Sequence, residues 1–137
     1  FALYTHYMYE KIFGEAFAAA IPPEQFEAMR QRFYDRYVDQ RHCLIRLTEA
    51  QDPFFAALDG RMPGYRAIAT PTLMIAGGQD RAIPLWQQKR ILGILPHTRY
   101  LEVEGSGHVV YIEKPDYFFG TLRRFMEKKA LDFEALE

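Results

Sequence analysis

The apolar positions of this chain change their spacing near residue 70. Before it they recur at helical intervals. Tyr9, Phe13 and Phe17 fall at i, i+4 and i+8, and Phe26, Met29, Phe33, Tyr37 and Leu44 continue in a second stripe. Such spacing lines side chains along one face of a helix, and Pro23 suits a first turn, where a missing N–H costs little. "DPFFAALDG" predicts a short helix closed by Gly60, and "RMPGYR" a loop. Residues 1–66 are therefore expected to form one helical segment.

From residue 70 the grammar is that of alternating strands and helices. "TPTLMIAGGQD" is a short apolar run ending in paired glycines and an aspartate, which predicts a buried parallel strand over 70–77. "IPLWQQKRILGIL" predicts a helix starting near Pro84, with Leu85, Leu92 and Leu95 on its inner face. "LPHT" reads as a turn and "RYLEVE" as a second strand over 99–104. In "PDYFFGTLRRFMEKKAL" the inward positions of a closing helix are Phe118, Leu122, Phe125 and Met126; Gly120 inside it costs about 1 kcal/mol against alanine. The Arg-Arg and Glu-Lys-Lys groups there read as its solvated face.

A strand–helix–strand unit of this length joins parallel strands by a right-handed crossover. The expected class is α/β, with residues 67–137 as the second unit. Two parallel strands leave unpaired edges. A cover is expected for them, either the N-terminal part of the same protein or a second copy. The chain opens on Phe1 in an aromatic-dense stretch rather than a ragged polar one, which predicts a cut inside a longer protein.

Charge narrows the partners. Seventeen basic and eighteen acidic residues leave a net charge of -1, which argues against a broad nucleic-acid or anionic-membrane surface. The longest apolar run, Ala16 to Ile21, is far short of the roughly 20 residues a membrane span needs. Cys43 is the single cysteine, so intramolecular disulfides and multi-thiolate metal sites are excluded, which suits a cytoplasmic setting. In its helical pattern it reads as a small buried thiol. The spacing of His6, His42 and His97 matches no ligand pattern, so no metal or cofactor is expected. His97 reads as an exposed turn residue. His6 and His42 either face solvent or line a pocket, and the aromatics of residues 1–17 either pack a core or line one.

The candidate chemistry sits at the strand ends. Parallel strands over 70–77 and 99–104 end on one edge of the sheet, Asp80 following the first and His108 the second. Neighbouring strands lie about 5 Å apart, so the two side chains can meet at the edge where open α/β sheets bind ligands. A carboxylate beside an imidazole fixes its tautomer and stabilises the imidazolium that forms. Taken singly, Asp80 could instead cap the helix near Pro84 and His108 be a turn residue. Together, at matched strand ends, they favour an acid–base pair. Val109 and Trp86 stand beside them as candidate substrate contacts.

"PTLMIAGGQDRAIP" followed by "LPHTRYLEVEGSGHVVYIEKPDYF" resembles the C-terminal third of α/β-hydrolase fold enzymes. The resemblance rests on Pro71, Thr72, Gly77, Asp80, Pro84, Gly105, Gly107, His108, Glu113 and Pro115. It implies that Asp80 is the acid and His108 the base of a triad, and that the helical 1–66 segment is a cap or lid. It also implies a nucleophile on a Gly-x-Ser-x-Gly elbow earlier in the chain. No such elbow is present, and Ser106, the only serine, reads as a turn residue. The implied parent is a hydrolase of an ester, amide or related bond in a small, largely apolar substrate, with its nucleophile outside these residues. This chain alone is then expected to be inactive. An Asp nucleophile would imply dehalogenase or epoxide-hydrolase chemistry. The remaining alternative is a non-catalytic fragment acting as an interaction module.

Overall fold

The computed structural model describes residues 1–128. Five helices come first: α1 (Ala2–Ile12), α2 (Glu15–Ala20), α3 (Pro23–Tyr37), α4 (Arg41–Ala56) and α5 (Leu58–Arg66). Strand β1 (Thr72–Gly77), helix α6 (Leu85–Lys89), strand β2 (Thr98–Val103), helix α7 (Val110–Glu113) and helix α8 (Pro115–Lys128) follow. The predicted closing helix from residue 129 onward lies outside the described residues. The chain is thus a largely helical body with a two-stranded parallel sheet, a partial α/β fold. The strands pair in register from Thr72 opposite Thr98 to Gly77 opposite Val103, so both end at the same edge.

Local departures from the expected elements have identifiable causes. The stripe Tyr9, Phe13, Phe17 does not lie on one helix. The chain leaves helical dihedrals at Phe13, whose φ of -101° and ψ of 148° are extended, and restarts at Glu15. "RMPGYR" is helical rather than a loop, and α4 runs through Pro53 while α5 runs through Gly60 and Pro63. Each proline removes one backbone donor, but its fixed φ is that of a helix. The break falls at Ala57 instead.

The helix after Pro84 is shorter than expected. It tightens into a 3₁₀ turn over Arg90–Gly93, which shifts its inner face. Leu92 is consequently exposed, and Ile91 and Ile94 turn inward to line a cavity with the buried Gln88. On α8, Phe118, Leu122 and Phe125 are half-buried, whereas Met126 is exposed and Thr121 is fully buried.

The core lies where the strand ends meet the α1–α2 break and α7. Phe13, Ala76, Val103, Val109 and Val110 are buried there. Phe13 anchors an aromatic cluster, with ring centroids 5.3 Å from Phe17 and 6.3 Å from Phe26. Tyr9 meets Phe26 at 6.1 Å and Phe33 at 6.0 Å, holding α1 against α3. These offset and edge-on rings add to the area they bury. Of the aromatics of residues 1–17, Tyr9, Phe13 and Phe17 thus pack in this cluster, whereas Tyr4 and Tyr7 are exposed. Burial raises the Tyr9 phenol above its ordinary range, with Arg32 opposing the shift.

Candidate functional site

Two glycine-bearing turns leave the sheet at its C-terminal edge. The first carries Asp80. Its backbone is stitched to the second turn by the Gly78 N–H donating to the Val103 carbonyl at 2.8 Å and the Gln79 N–H donating to the Ser106 carbonyl at 2.8 Å. The second turn bends at Gly105, whose φ of 70° is a conformation L side chains rarely adopt. The turns pack so closely that a Cβ on Gly77 would strike the Gly107 carbonyl. This closeness sets the separation of the two functional side chains.

His108 Nδ1 stands 2.9 Å from Asp80 Oδ2, so the structure brings together the two residues that the strand ends suggested. The carboxylate is shielded, its side chain 4% exposed, while the imidazole is 39% exposed and opens onto a cavity. Among the described residues, Nε2 of His108 has no partner. The arrangement leaves one ring nitrogen anchored and the other available for proton transfer.

Asp80 also fixes the loop that leads into α6. Its Oδ1 accepts the N–H groups of Ala82 at 2.9 Å and Ile83 at 2.8 Å. The loop contacts and the contact to His108 thus fall on different oxygens of one carboxylate, and α6 itself, with Pro84 at its N-cap, takes no side-chain cap. A shielded charge must be hydrogen-bonded to be tolerated, and a third group completes the set. Gln88 Nε2 donates to Oδ2 at 2.9 Å and to the Ile83 carbonyl at 2.6 Å. Sequence reading missed Gln88. A polar side chain one helical turn after Pro84 carries no motif, and only the fold aims it at Asp80.

The cavity beside the pair has a volume of about 790 Å³. Phe55 and Leu58 of the helical segment and Ile83, Ile91 and Ile94 of the α/β segment give it an apolar lining, with β1 as its floor. Val109 is buried in the core and Trp86 is 63% exposed. Neither lines this cavity, and its apolar contacts come from Phe55, Leu58 and the isoleucines.

The other candidates lie elsewhere. His6 pairs with Glu10 at 3.0 Å on the surface of α1. His42 lines a separate cavity of about 540 Å³ with Phe1, Tyr4 and Ile45. Cys43 is exposed rather than buried, with its sulfur 3.5 Å from His42 Nε2. His97 is an exposed turn residue whose carbonyl accepts the Thr72 N–H. Ser106 is fully buried in the turn before His108. Among the described residues no group of three or more His, Cys, Asp or Glu side chains could hold a metal ion, and no helix is long and apolar enough to cross a membrane.

Comparison with known proteins extends the likeness beyond the motif residues. Residues 7–121 match the family model described as the alpha/beta hydrolase family. A candidate esterase/lipase of Haemophilus influenzae is 38% identical over 61 residues, covering 44% of this chain and 21% of its own length. The pimeloyl-[acyl-carrier protein] methyl ester esterase of Xanthomonas campestris is 34% identical over 89 residues, covering 58% of this chain and 35% of its own. The solved structure of a thermophilic esterase superposes with a TM-score of 0.69 at 26% identity, covering 94% of this chain and 47% of that one. The chain thus spans about half of that structure, and its matched segments span 21% and 35% of these two curated relatives.

Proposed function

Because the chain belongs to the alpha/beta hydrolase family, we propose that it supplies the acid, the base and the cap of a hydrolase acting on an ester, amide or related bond. Asp80 orients the imidazole and stabilises its protonated form. His108 takes a proton from a nucleophile at Nε2 and returns it to the leaving group. The nucleophile is contributed by residues outside this chain, which taken alone is inactive. Helices α1–α5 act as the cap, and the cavity they share with the pair receives a small, largely apolar substrate. The unpaired sheet edge is covered by the N-terminal part of the same protein or by a second copy. A reducing, cytoplasmic setting accords with the single, exposed Cys43.

The observation that carries this reading is the 2.9 Å contact between a shielded carboxylate and a ring whose second nitrogen is unpartnered among the described residues. Esterases among the relatives favour an ester over other bonds. The test is a panel of p-nitrophenyl esters of increasing acyl length, with matched 4-nitroanilides, offered to the whole protein. The expected result is turnover of short and medium esters, with slower cleavage of the anilides. Rates equal to protein-free buffer across the whole panel would count against the proposal.

A further inference from the structure

The break between α1 and α2 is bonded to both functional turns. Arg81 Nη2, beside Asp80, donates to the Glu10 carbonyl at 2.6 Å, and Gln79 Oε1 accepts the Glu15 N–H at 2.7 Å. On the other side, the backbone N–H of His108 donates to the Ile12 carbonyl at 2.8 Å. Between these contacts sits the carboxylate of Glu113. It accepts the Gly107 N–H at 2.9 Å and the Gly14 N–H at 3.2 Å to each oxygen. One side chain therefore joins the residue preceding His108 to a helix break some hundred positions earlier in the chain.

The packing leaves little freedom around this link. Gly14 is buried, and a Cβ there would strike the Gly105 carbonyl and come within 2.9 Å of Glu113 Oε2. A Cβ on Gly107 would strike the backbone of Ile12, Phe13 and Gly14. Phe13, between the two donors' segments, is 1% exposed. Two backbone N–H groups converge on one spot, neither glycine has room for a side chain of its own, and the two donors need an acceptor there. A carboxylate meets both with charge-assisted bonds. The extended backbone at Phe13 accompanies this link, since a continuous helix would direct the Gly14 N–H to the Glu10 carbonyl instead.

We propose that Glu113 is a positioning residue for His108, its carboxylate clamping the Gly105–His108 turn to the α1–α2 break so that the ring stays on Asp80. The role rests on the reading of His108 as the base, but the clamp can be tested without turnover. Loss of the acceptor frees the Gly107 and Gly14 amides, the turn loosens, and Nδ1 leaves Oδ2 for part of the time. The ring then samples both neutral tautomers. A displacement on the order of 1 Å costs catalysis about a hundredfold.

The experiment uses the whole protein labelled with ¹⁵N-histidine and compares wild type, Glu113→Gln and Glu113→Ala. Wild type is expected to show widely separated Nδ1 and Nε2 signals for the neutral His108 ring, the mark of one tautomer. In Glu113→Ala the two signals should converge, and kcat on a p-nitrophenyl ester should fall about 10- to 100-fold with KM within about twofold. Glu113→Gln keeps one acceptor oxygen and the side chain's size, so it should lie between them in both readouts. A wild-type ring spectrum in either folded variant would overturn the proposal. If the wild-type protein turns over no ester, the ring spectrum alone decides the role of Glu113, and the failure belongs to the proposed function instead.

Discussion

Asp80→Asn changes the hydrogen-bond balance at one atom while keeping the size of the side chain. The amide oxygen can occupy the Oδ1 position and keep the N–H groups of Ala82 and Ile83 at 2.9 and 2.8 Å. The NH₂ group then stands at Oδ2, where both Gln88 Nε2 and His108 Nδ1 lie within 2.9 Å. Donors meet donors. Gln88 cannot simply turn its amide, because the same nitrogen donates to the Ile83 carbonyl. His108 can adapt, by carrying its proton on Nε2 and presenting Nδ1 as acceptor. That tautomer has no lone pair at the nitrogen facing the cavity.

The corresponding loss in a serine-protease triad is about 10⁴ in kcat, or about 5.4 kcal/mol at 1.36 kcal/mol per tenfold. The fold loses less. An unmatched donor at Gln88 costs about 1–3 kcal/mol. The assay is kcat and KM on a p-nitrophenyl ester for the whole protein, with urea unfolding in parallel. A fall in kcat of about 10⁴ with KM nearly unchanged is expected. A folded Asp80→Asn protein working within tenfold of wild type would refute the reasoning.

Other consequences follow from burial and charge. Phe13→Ala removes a fully buried ring at the junction of three elements and should cost about 3–5 kcal/mol in urea unfolding; a loss below about 1 kcal/mol would place the core elsewhere. Tyr100 has a buried hydroxyl without a partner among the described residues, and its phenol is raised above 10.0 by burial first and by Glu102 second, with Lys89 opposing. A raised value in the folded state means that stability is fully present below the ordinary phenol value and is lost as pH rises through the folded one. Tyr100→Phe should therefore raise the unfolding free energy by about 1 kcal/mol near neutral pH, read as a higher urea midpoint, and flatten the alkaline decline. A lowered midpoint would show that the hydroxyl has a partner.

The parts of the fold legible in the sequence were those set by short-range pattern. The apolar runs before Gly77 and Gly105 announced strands ending on one edge, and that edge brought Asp80 towards His108 without any contact being known. Turn chemistry was less transparent. Gly60 and Pro63 read as breakers, yet they lie inside α5 because a proline's φ is helical and Gly60 has no close neighbour to satisfy. The stripe from Tyr9 to Phe17 hid its own interruption, since the carboxylate that accepts the Gly14 N–H at the break belongs to Glu113, a hundred or so residues away. Gln88 was invisible for the same reason. Its partners are fixed by how α6 packs, and the 3₁₀ turn that follows moved the inner face from Leu92 to Ile91 and Ile94.

The most direct measurement is the turnover of p-nitrophenyl acetate by the whole protein before and after His108→Ala. If the imidazole is the proton relay proposed above, kcat/KM should drop by about 10³ or more while the urea midpoint stays near wild type. Equal rates for the two folded proteins would remove His108 from the chemistry and leave its bond to Asp80 as a matter of structure alone.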